Sequence, residues 1–410
     1  MWWWLACTSP SDEAPADAPT FHEDVAPILA DSCTNCHQDG AIAPMPLTTY
    51  DEASAFSEVI AADAAARIMP PFLADNAGAC NTFEHANWLS DEEIATLEAW
   101  AEAEAPEGDP SATPAEMTPP IEGLSDWTHD ASMAETYAPD FGGAADDYRC
   151  FLVDPGLDDD AYLTAYEVLP GDATIVHHLV AYGLYDQAGF DEATALDEAD
   201  PGPGYTCFGD AGVDSTFLIA AWAPGGAAWE YPEGTGIPLD GDLPLIVQMH
   251  YNDGGGVEDQ TAFRLRMADV VERPLSAFFW VNSDLNIPPG VDGHKETDRT
   301  SLASYTGYPA DLIPTQEILA IAPHMHQMGK SLKATMFRED GSKQCVVDVP
   351  RWDFNWQFVY TYTQPIEFNA LDELKLDCIY DSSEATETVN WGEGTGAEMC
   401  LVALFTADKL

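Results

Sequence analysis

Beyond about residue 125 the chain breaks into short runs in which apolar and polar residues alternate, such as AYLTAYEVL (161–169), LPLIVQMHY (243–251) and ELKLDCIY (373–380). A period of two puts alternate side chains on opposite faces, so each run can bury only one side as a β-strand. Gly, Pro, Asp and Asn separate the runs, and no long helical pattern is visible, which predicts an all-β sandwich or barrel. The stretch is long for one sandwich. The expected architecture is therefore two jelly-roll-like sandwiches, 126–270 and 271–410, divided near VVERPLSAFF (270–279).

The first part of the chain has a different texture. TFHEDVAPILADSC opens with Thr20 and Glu23 at capping-box spacing, and Phe21, Val25, Ile28 and Leu29 form an apolar stripe. SDEEIATLEAWAEAEAPEG repeats the device with Ser90 and Glu93 ahead of Ile94, Leu97 and Trp100. Residues 20–104 are thus predicted to be a small all-α domain, followed by a Pro- and Gly-rich linker, 105–125. Residues 1–19 read as a leader and tether. LAC followed by TSPSDEAPADAPT has the form of a bacterial lipoprotein cleavage site with Cys7 as the lipidated residue, which predicts an exported protein on a lipid anchor, periplasmic or at the outer membrane or cell surface.

Charge excludes several partners. The 410 residues carry 14 basic against 72 acidic side chains, a net −58, and no lysine occurs before Lys295. Such a surface repels phosphate backbones and anionic lipid headgroups, so no nucleic-acid partner is expected.

Cys33-Thr-Asn-Cys36-His37 is a C-x-x-C-H motif. Two thiols at this spacing can add to the vinyl groups of haem while the adjacent histidine ligates iron. A redox dithiol or half a zinc site would leave the histidine unexplained. The motif ends the first amphipathic helix and a second capped helix closes the domain, a layout that resembles a class I cytochrome c. The sixth iron ligand is assigned to Met69 in RIMPPF, where two prolines stiffen the loop, with Met45 in APMPL as the alternative. His22, His85, His129 and His294 are expected at the surface.

Five of the ten histidines fall in three apolar runs: His177 and His178 in TIVHHLVAYG, His250 in LPLIVQMHYND, and His324 and His326 in APHMHQMG. On a strand His324 and His326 would share one face, roughly 7 Å apart at Cα. His177 and His178 would point to opposite faces, so sharing an ion requires the strand to twist or end there. Met399 stands beside Cys400 in GTGAEMCLVALF.

The order His-His, His, His-x-His and Glu-Met-Cys, over 126–410, resembles the copper type II, ascorbate-dependent monooxygenases. The resemblance implies an electron-transfer copper held by His177, His178 and His250 in the first sandwich. It also implies an oxygen-activating copper held by His324, His326 and Met399 in the second. Imidazole suits both copper oxidation states, and a thioether favours Cu(I) and is a rare zinc ligand. The implied reaction is hydroxylation of a substrate C–H bond with O₂ and two external electrons, from an ascorbate-like reductant or a redox protein. The haem c domain is the expected in-chain donor. The alternative is a non-catalytic haem–copper electron carrier or copper-binding protein on the same scaffold.

The chain also departs from that pattern. Ala322 stands where peptidylglycine enzymes carry an arginine for the substrate carboxylate, and Leu401 and Ala403 replace the polar and phenolic residues expected after Met-Cys. A small neutral or cationic substrate fits better than a peptide C-terminus, unless Arg264 or Arg266 faces the cleft. Gln248 shares a strand face with His250 and reads as a structural amide or an aid to coupling the ions. A Cys378–Cys400 disulfide is implied by the family, and Cys150–Cys207 is the next pair. Cys80 and Cys345 are left as one inter-domain bridge or two free thiols.

Overall fold

The computed structural model describes residues 18–39, 43, 45–114, 117, 123–142, 146–208, 210–222, 228–252, 256–392 and 396–410. Cys7 and the proposed lipid attachment lie outside them. Among the described residues, no helix is long and apolar enough to cross a membrane. The chain forms two compact units. One comprises the described residues of Met1–Phe72 and Asn87–Ile121, the other those of Leu73–Ala86 and Glu122–Leu410.

The smaller unit is helical. A π-helical turn, Phe21–Val25, leads into the helix Ala26–Ser32, followed by Tyr50–Ser54, Ser57–Ala65 and Asp91–Glu102. The predicted apolar stripe packs inward: Phe21, Val25, Leu29, Leu97 and Trp100 form one buried cluster. Ser90 and Glu93 form the reciprocal box, with Glu93 N–H donating to Ser90 Oγ at 3.2 Å and Ser90 N–H donating to Glu93 Oε2 at 2.7 Å. Thr20 and Glu23 do not. The Thr20 backbone N–H goes to Asp24 Oδ2 at 2.7 Å, while Glu23 accepts from the Asp109 backbone at 2.9 Å. The competing acid one residue on takes the donor, and a π-turn replaces the first α-turn. A second reciprocal box, Thr49 with Glu52, caps Tyr50–Ser54. His22 is not at the surface: it is 7% exposed, with Nδ1 2.7 Å from Thr113 Oγ1.

The larger unit is built from antiparallel sheets. In its first half a five-stranded sheet runs in the order Tyr205–Thr206, Asp146–Val153, Leu245–Asn252, Val176–Leu184, Thr216–Trp222. It faces a second sheet containing Ala161–Leu169 and Ala262–Ala268, and the two contribute Phe151, Val176, Leu179 and Val247 on one side and Leu163, Val168, Phe263 and Leu265 on the other to one buried cluster. In its second half a four-stranded sheet orders Ser276–Val281, Leu401–Asp408, Gln316–His324 and Tyr360–Phe368. Another orders Asp292–Ser301, Glu373–Asp381, Gly329–Phe337 and Lys343–Val349. Glu373–Asp381 buries every second residue, Leu374, Leu376, Cys378 and Tyr380.

Three features differ from the sequence reading. A helix, Gln187–Ala199, interrupts the β region, capped by Asp186, which accepts from Gly189 N–H at 2.9 Å. Its fully buried positions are Gly189 and Ala193, so no run of large apolar residues marks it among the flanking strands. The two halves also share apolar packing: Leu319, Ala320, Ala403 and Phe405 of the second lie in the same cluster as Val168 and Tyr231 of the first. Finally, residues 73–86, inside the segment assigned to the small domain, belong to the larger unit. Cys80 is disulfide-bonded to Cys345, Asp75 N–H donates to Asp348 O, and Phe83 bridges to Tyr362. Cys150–Cys207 and Cys378–Cys400 also pair.

Replacing Cys80 and Cys345 together by alanine is expected to lower stability by about 2–4 kcal/mol, because the bridge removes a long loop from the unfolded ensemble. Chemical denaturation followed by tryptophan fluorescence checks this; an unchanged midpoint would mean that the hydrogen bonds of 73–86 hold the segment alone.

Candidate metal centres

The His177–His178 problem is solved by a β-bulge. Val176 pairs with Tyr251 and His178 with His250, so His177 is the extra residue on its strand. A bulge rotates the chain locally and turns two successive side chains toward one side. Ligand atoms of His177, His178 and His250 all lie within 4.8 Å of one another. His178 Nδ1 is 3.1 Å from His177 Nδ1 and 3.1 Å from His250 Nδ1.

The outer nitrogen of His250 is held. Its Nε2 lies 2.9 Å from Asp146 Oδ1, which also accepts from Asn252 Nδ2 at 2.7 Å. A carboxylate oxygen only accepts here, so Nε2 carries the proton and Nδ1 presents its lone pair to the cluster. Tyr148, cross-strand partner of His250, stacks on it at 4.2 Å between centroids.

His324 ends its strand and His326 follows in the turn to Gly329, not on the strand as the spacing predicted. Their rings are nevertheless 5.2 Å apart and perpendicular. Here the nitrogen nearer the backbone is the held one. His324 Nδ1 donates to Gln357 Oε1 at 2.6 Å, and Gln357 Nε2 donates to Phe354 O at 3.0 Å, which fixes the amide's orientation. His326 Nδ1 donates to Ala397 O at 3.1 Å. Both rings therefore offer Nε2, whereas His250 offers Nδ1. Trp352 Nε1 donates to His326 O at 3.1 Å, and a Cβ at residue 329 would come within 2.6 Å of Trp352 Cδ1, so the close approach needs Gly329.

Met399 is brought to this pair through Glu398. The fully buried Glu398 accepts backbone N–H bonds from His326 at 3.0 Å and Met399 at 3.2 Å, and from Met328 at 2.6 Å. Burial pushes its carboxyl up to about 7, against the pull of those three donors. Leu401 pairs with His324, and the Cys378–Cys400 bridge fixes the strand just after Met399.

Burial pushes His177, His178, His250 and His324 toward the neutral form. Burial pushes His250 down to about 4, partly offset by Asp146, and His324 down to about 3, partly offset by Gln357. His178 is held well below its ordinary value by burial, then by His250 and His177, then by His324 and His326. The second pair is thus close enough to be felt at the first cluster. Neutral imidazole is the metal-binding form.

Gln248 is spent elsewhere: Nε2 donates to Asp210 O at 2.9 Å. Arg264 and Arg266 lie on the other sheet, which carries none of the five candidate ligand histidines, and pair with Glu167 and with Asp126 and Glu230. Asp146, Gln357 and Glu398 were not legible as site residues. An acid among 72 carries no signal of its own, and Gln357 lies between strands; only the Glu-Met-Cys run pointed at Glu398.

In the smaller unit Cys33 ends the Ala26–Ser32 helix, and one turn brings both thiols and His37 together: Cys36 and His37 N–H donate to Cys33 O at 3.1 and 2.9 Å. His37 Nδ1 donates to Met45 O at 3.0 Å, so Nε2 is the nitrogen with a lone pair to offer. Burial pushes the Cys33 thiol up to about 12 and raises Cys36. Met69 lines a shallow pocket with Arg67, Phe72, Asn87 and Trp88, and Asn87 Nδ2 donates to Ser32 O at 3.0 Å, one residue before Cys33.

Comparison with known proteins now bears on the second centre. Residues 284–406 match the family model described as copper type II ascorbate-dependent monooxygenase, C-terminal domain. That stretch contains His324, His326 and Met399. The chain is 24% identical to human DBH-like monooxygenase protein 1 over 56% of this chain and 39% of the relative. It is 27% identical to mouse DBH-like monooxygenase protein 2 over 63% and 42%. With tyramine beta-hydroxylase of Caenorhabditis briggsae it shares 25% over 57% and 40%. The chain thus spans about two-fifths of the length of these relatives.

Two outcomes follow from the held nitrogens. Asp146→Asn is expected to weaken copper binding at the first cluster by about 10- to 100-fold, the range for losing such a partner, while leaving the second unchanged; titration with a competing chelator measures it. In the chelator-treated protein, the unfolded chain takes up protons between pH 6.5 and about 4 that native His250 and His324 refuse. Stability therefore falls as pH falls through that window. Melting curves should show this slope, flattened in His324→Asn.

Proposed function

We propose that the protein is an exported haem c and dicopper monooxygenase that hydroxylates a C–H bond of a small organic substrate with O₂. The carrying observation is a coincidence of independent findings. The family match covers the second centre only, while the three-histidine cluster lies outside the matched stretch and assembles through the fold.

The donor sets fit copper. His177, His178 and His250 would hold one ion, and His324, His326 and Met399 the other. All-imidazole and imidazole–thioether sets suit copper, and the thioether disfavours zinc. Bound copper supplies the one-electron redox and dioxygen chemistry that hydroxylation needs. The chain's own residues prepare the sites. Asp146, Gln357 and Ala397 O each hold one nitrogen of an imidazole so that the other is left to bind metal, and burial disfavours protonation of His250 and His324. The reaction balances as R–H, O₂, two electrons and two protons giving R–OH and water.

The helical unit fits haem c. Cys33 and Cys36 would carry the thioether links, His37 Nε2 would ligate iron, and Met69 is the favoured sixth ligand. Met45 contributes its carbonyl behind the His37 ring, on the side away from Nε2. The raised thiols count against a redox dithiol, which works through a depressed pKa. Haem supplies one-electron transfer, so this unit, alone or with an ascorbate-like reductant, would be the electron source.

A small neutral or cationic substrate is favoured, since Ala322, Leu401 and Ala403 offer no charge and Arg264 and Arg266 are paired on the other sheet. The relative named tyramine beta-hydroxylase makes small amines the first compounds to screen. Three disulfides support an oxidising compartment, and lipidation of Cys7 would place the protein at a membrane surface facing it.

Metal analysis is expected to give two coppers and one iron per chain, with oxygen uptake that requires a reductant and is stimulated by substrate. Met399→Ile should keep the first copper and lose substrate-stimulated uptake. Two coppers without uptake for any screened amine or neutral substrate would favour the non-catalytic carrier, and full uptake in Met399→Ile would remove the assignment of the second centre.

A further inference from the structure

One side chain touches both histidine groups. The ring of Phe354 stacks on His177 at 5.5 Å and 26°, and meets His326 at 6.0 Å and 84°. Two consecutive ring contacts therefore link the first cluster to the second pair. Phe354 lies in the connection between the strands Lys343–Val349 and Tyr360–Phe368, in the run Arg351-Trp-Asp-Phe-Asn-Trp-Gln357. That connection is anchored to the second pair by two hydrogen bonds and braced by a third within itself. Gln357 accepts from His324 Nδ1, Gln357 Nε2 returns to Phe354 O, and Trp352 Nε1 donates to His326 O. Asn355 N and Nδ2 both donate to Asp353 Oδ1 at 3.0 Å and tighten the turn at its tip. The backbone carrying Phe354 is thus a fixed part of the second centre, and its ring reaches to the first.

We propose that Phe354 is a positioning residue that sets the gap between the two metal centres. The proposal rests on the dicopper reading above. The second centre, through Gln357 and Trp352, fixes the backbone at 354; the ring, stacked on His177, fixes where the bulged histidine of the first cluster stands. Stacked and edge-to-face ring contacts are directional and favour one arrangement of two side chains over a spread of them. Removing the ring leaves every metal-ligating residue and every held nitrogen in place. The expected loss is in the definition of the separation rather than in metal capacity.

The test is electron paramagnetic resonance of the full chain loaded with copper(II), compared with His250→Ala and Met399→Ile, each of which keeps one centre. The parent protein should show dipolar broadening beyond the sum of the two single-centre spectra. Phe354→Ala and Phe354→Leu should bind two coppers yet lose or spread that broadening, and Phe354→Tyr, which keeps the ring, should retain it. Melting temperature and copper stoichiometry of each variant separate this from misfolding, which Leu, keeping apolar bulk, is chosen to avoid. Broadening unchanged in both Phe354→Ala and Phe354→Leu overturns the proposal and leaves the dicopper reading standing. A parent protein that does not take up two coppers overturns both.

Discussion

Burying imidazole without charging it is the constraint on which the larger unit's metal-binding character depends. A desolvated histidine must stay neutral or find a partner, and each neutral ring has one N–H to satisfy and one lone pair to offer. Asp146 satisfies Nε2 of His250, while Gln357 and Ala397 O satisfy Nδ1 of His324 and His326. The same rule applied from opposite sides of the ring gives two centres with different donor atoms. In the small unit His37 Nδ1 likewise donates a hydrogen bond to a backbone carbonyl, Met45 O.

Each solution is a backbone event before it is a chemical one. The bulge at His177 lets adjacent histidines converge, and the strand end after His324 frees His326 to turn. Glu398 gathers the backbone amides of His326, Met328 and Met399 around one carboxylate, so the loop carrying the second histidine and the segment carrying the methionine form one body. The Cys378–Cys400 bridge then ties that segment to the facing sheet. The polar groups are buried because the strands that carry them are apolar, and they are tolerated because nearly every polar atom is paired.

The strong acidity of the chain stays outside this machinery. Its scarce cations are largely consumed by carboxylates, as in Arg149 with Asp200 and Arg338 with Asp372. The rings that meet the second pair are those of Trp352, against His324, and Phe354, against His326.

Much was legible from residues alone. Period-two alternation gave the strands, because a strand with one buried face admits few other patterns. The C-x-x-C-H spacing and the capped Asp91–Glu102 helix were readable because helix and motif chemistry is local. The five histidines in apolar runs and Met399 stood out because such residues are rare there. The Gln187–Ala199 helix is not legible because it fully buries only the small residues Gly189 and Ala193, nor is the burial of His22, because its partner Thr113 is 91 residues away. Tertiary structure alone decided the pairing of Cys80 with Cys345, the roles of Asp146 and Gln357, and the reach of Phe354 from one histidine group to the other. Each is a relation between segments far apart in the chain, and local pattern carries no information about which distant surface a side chain will meet.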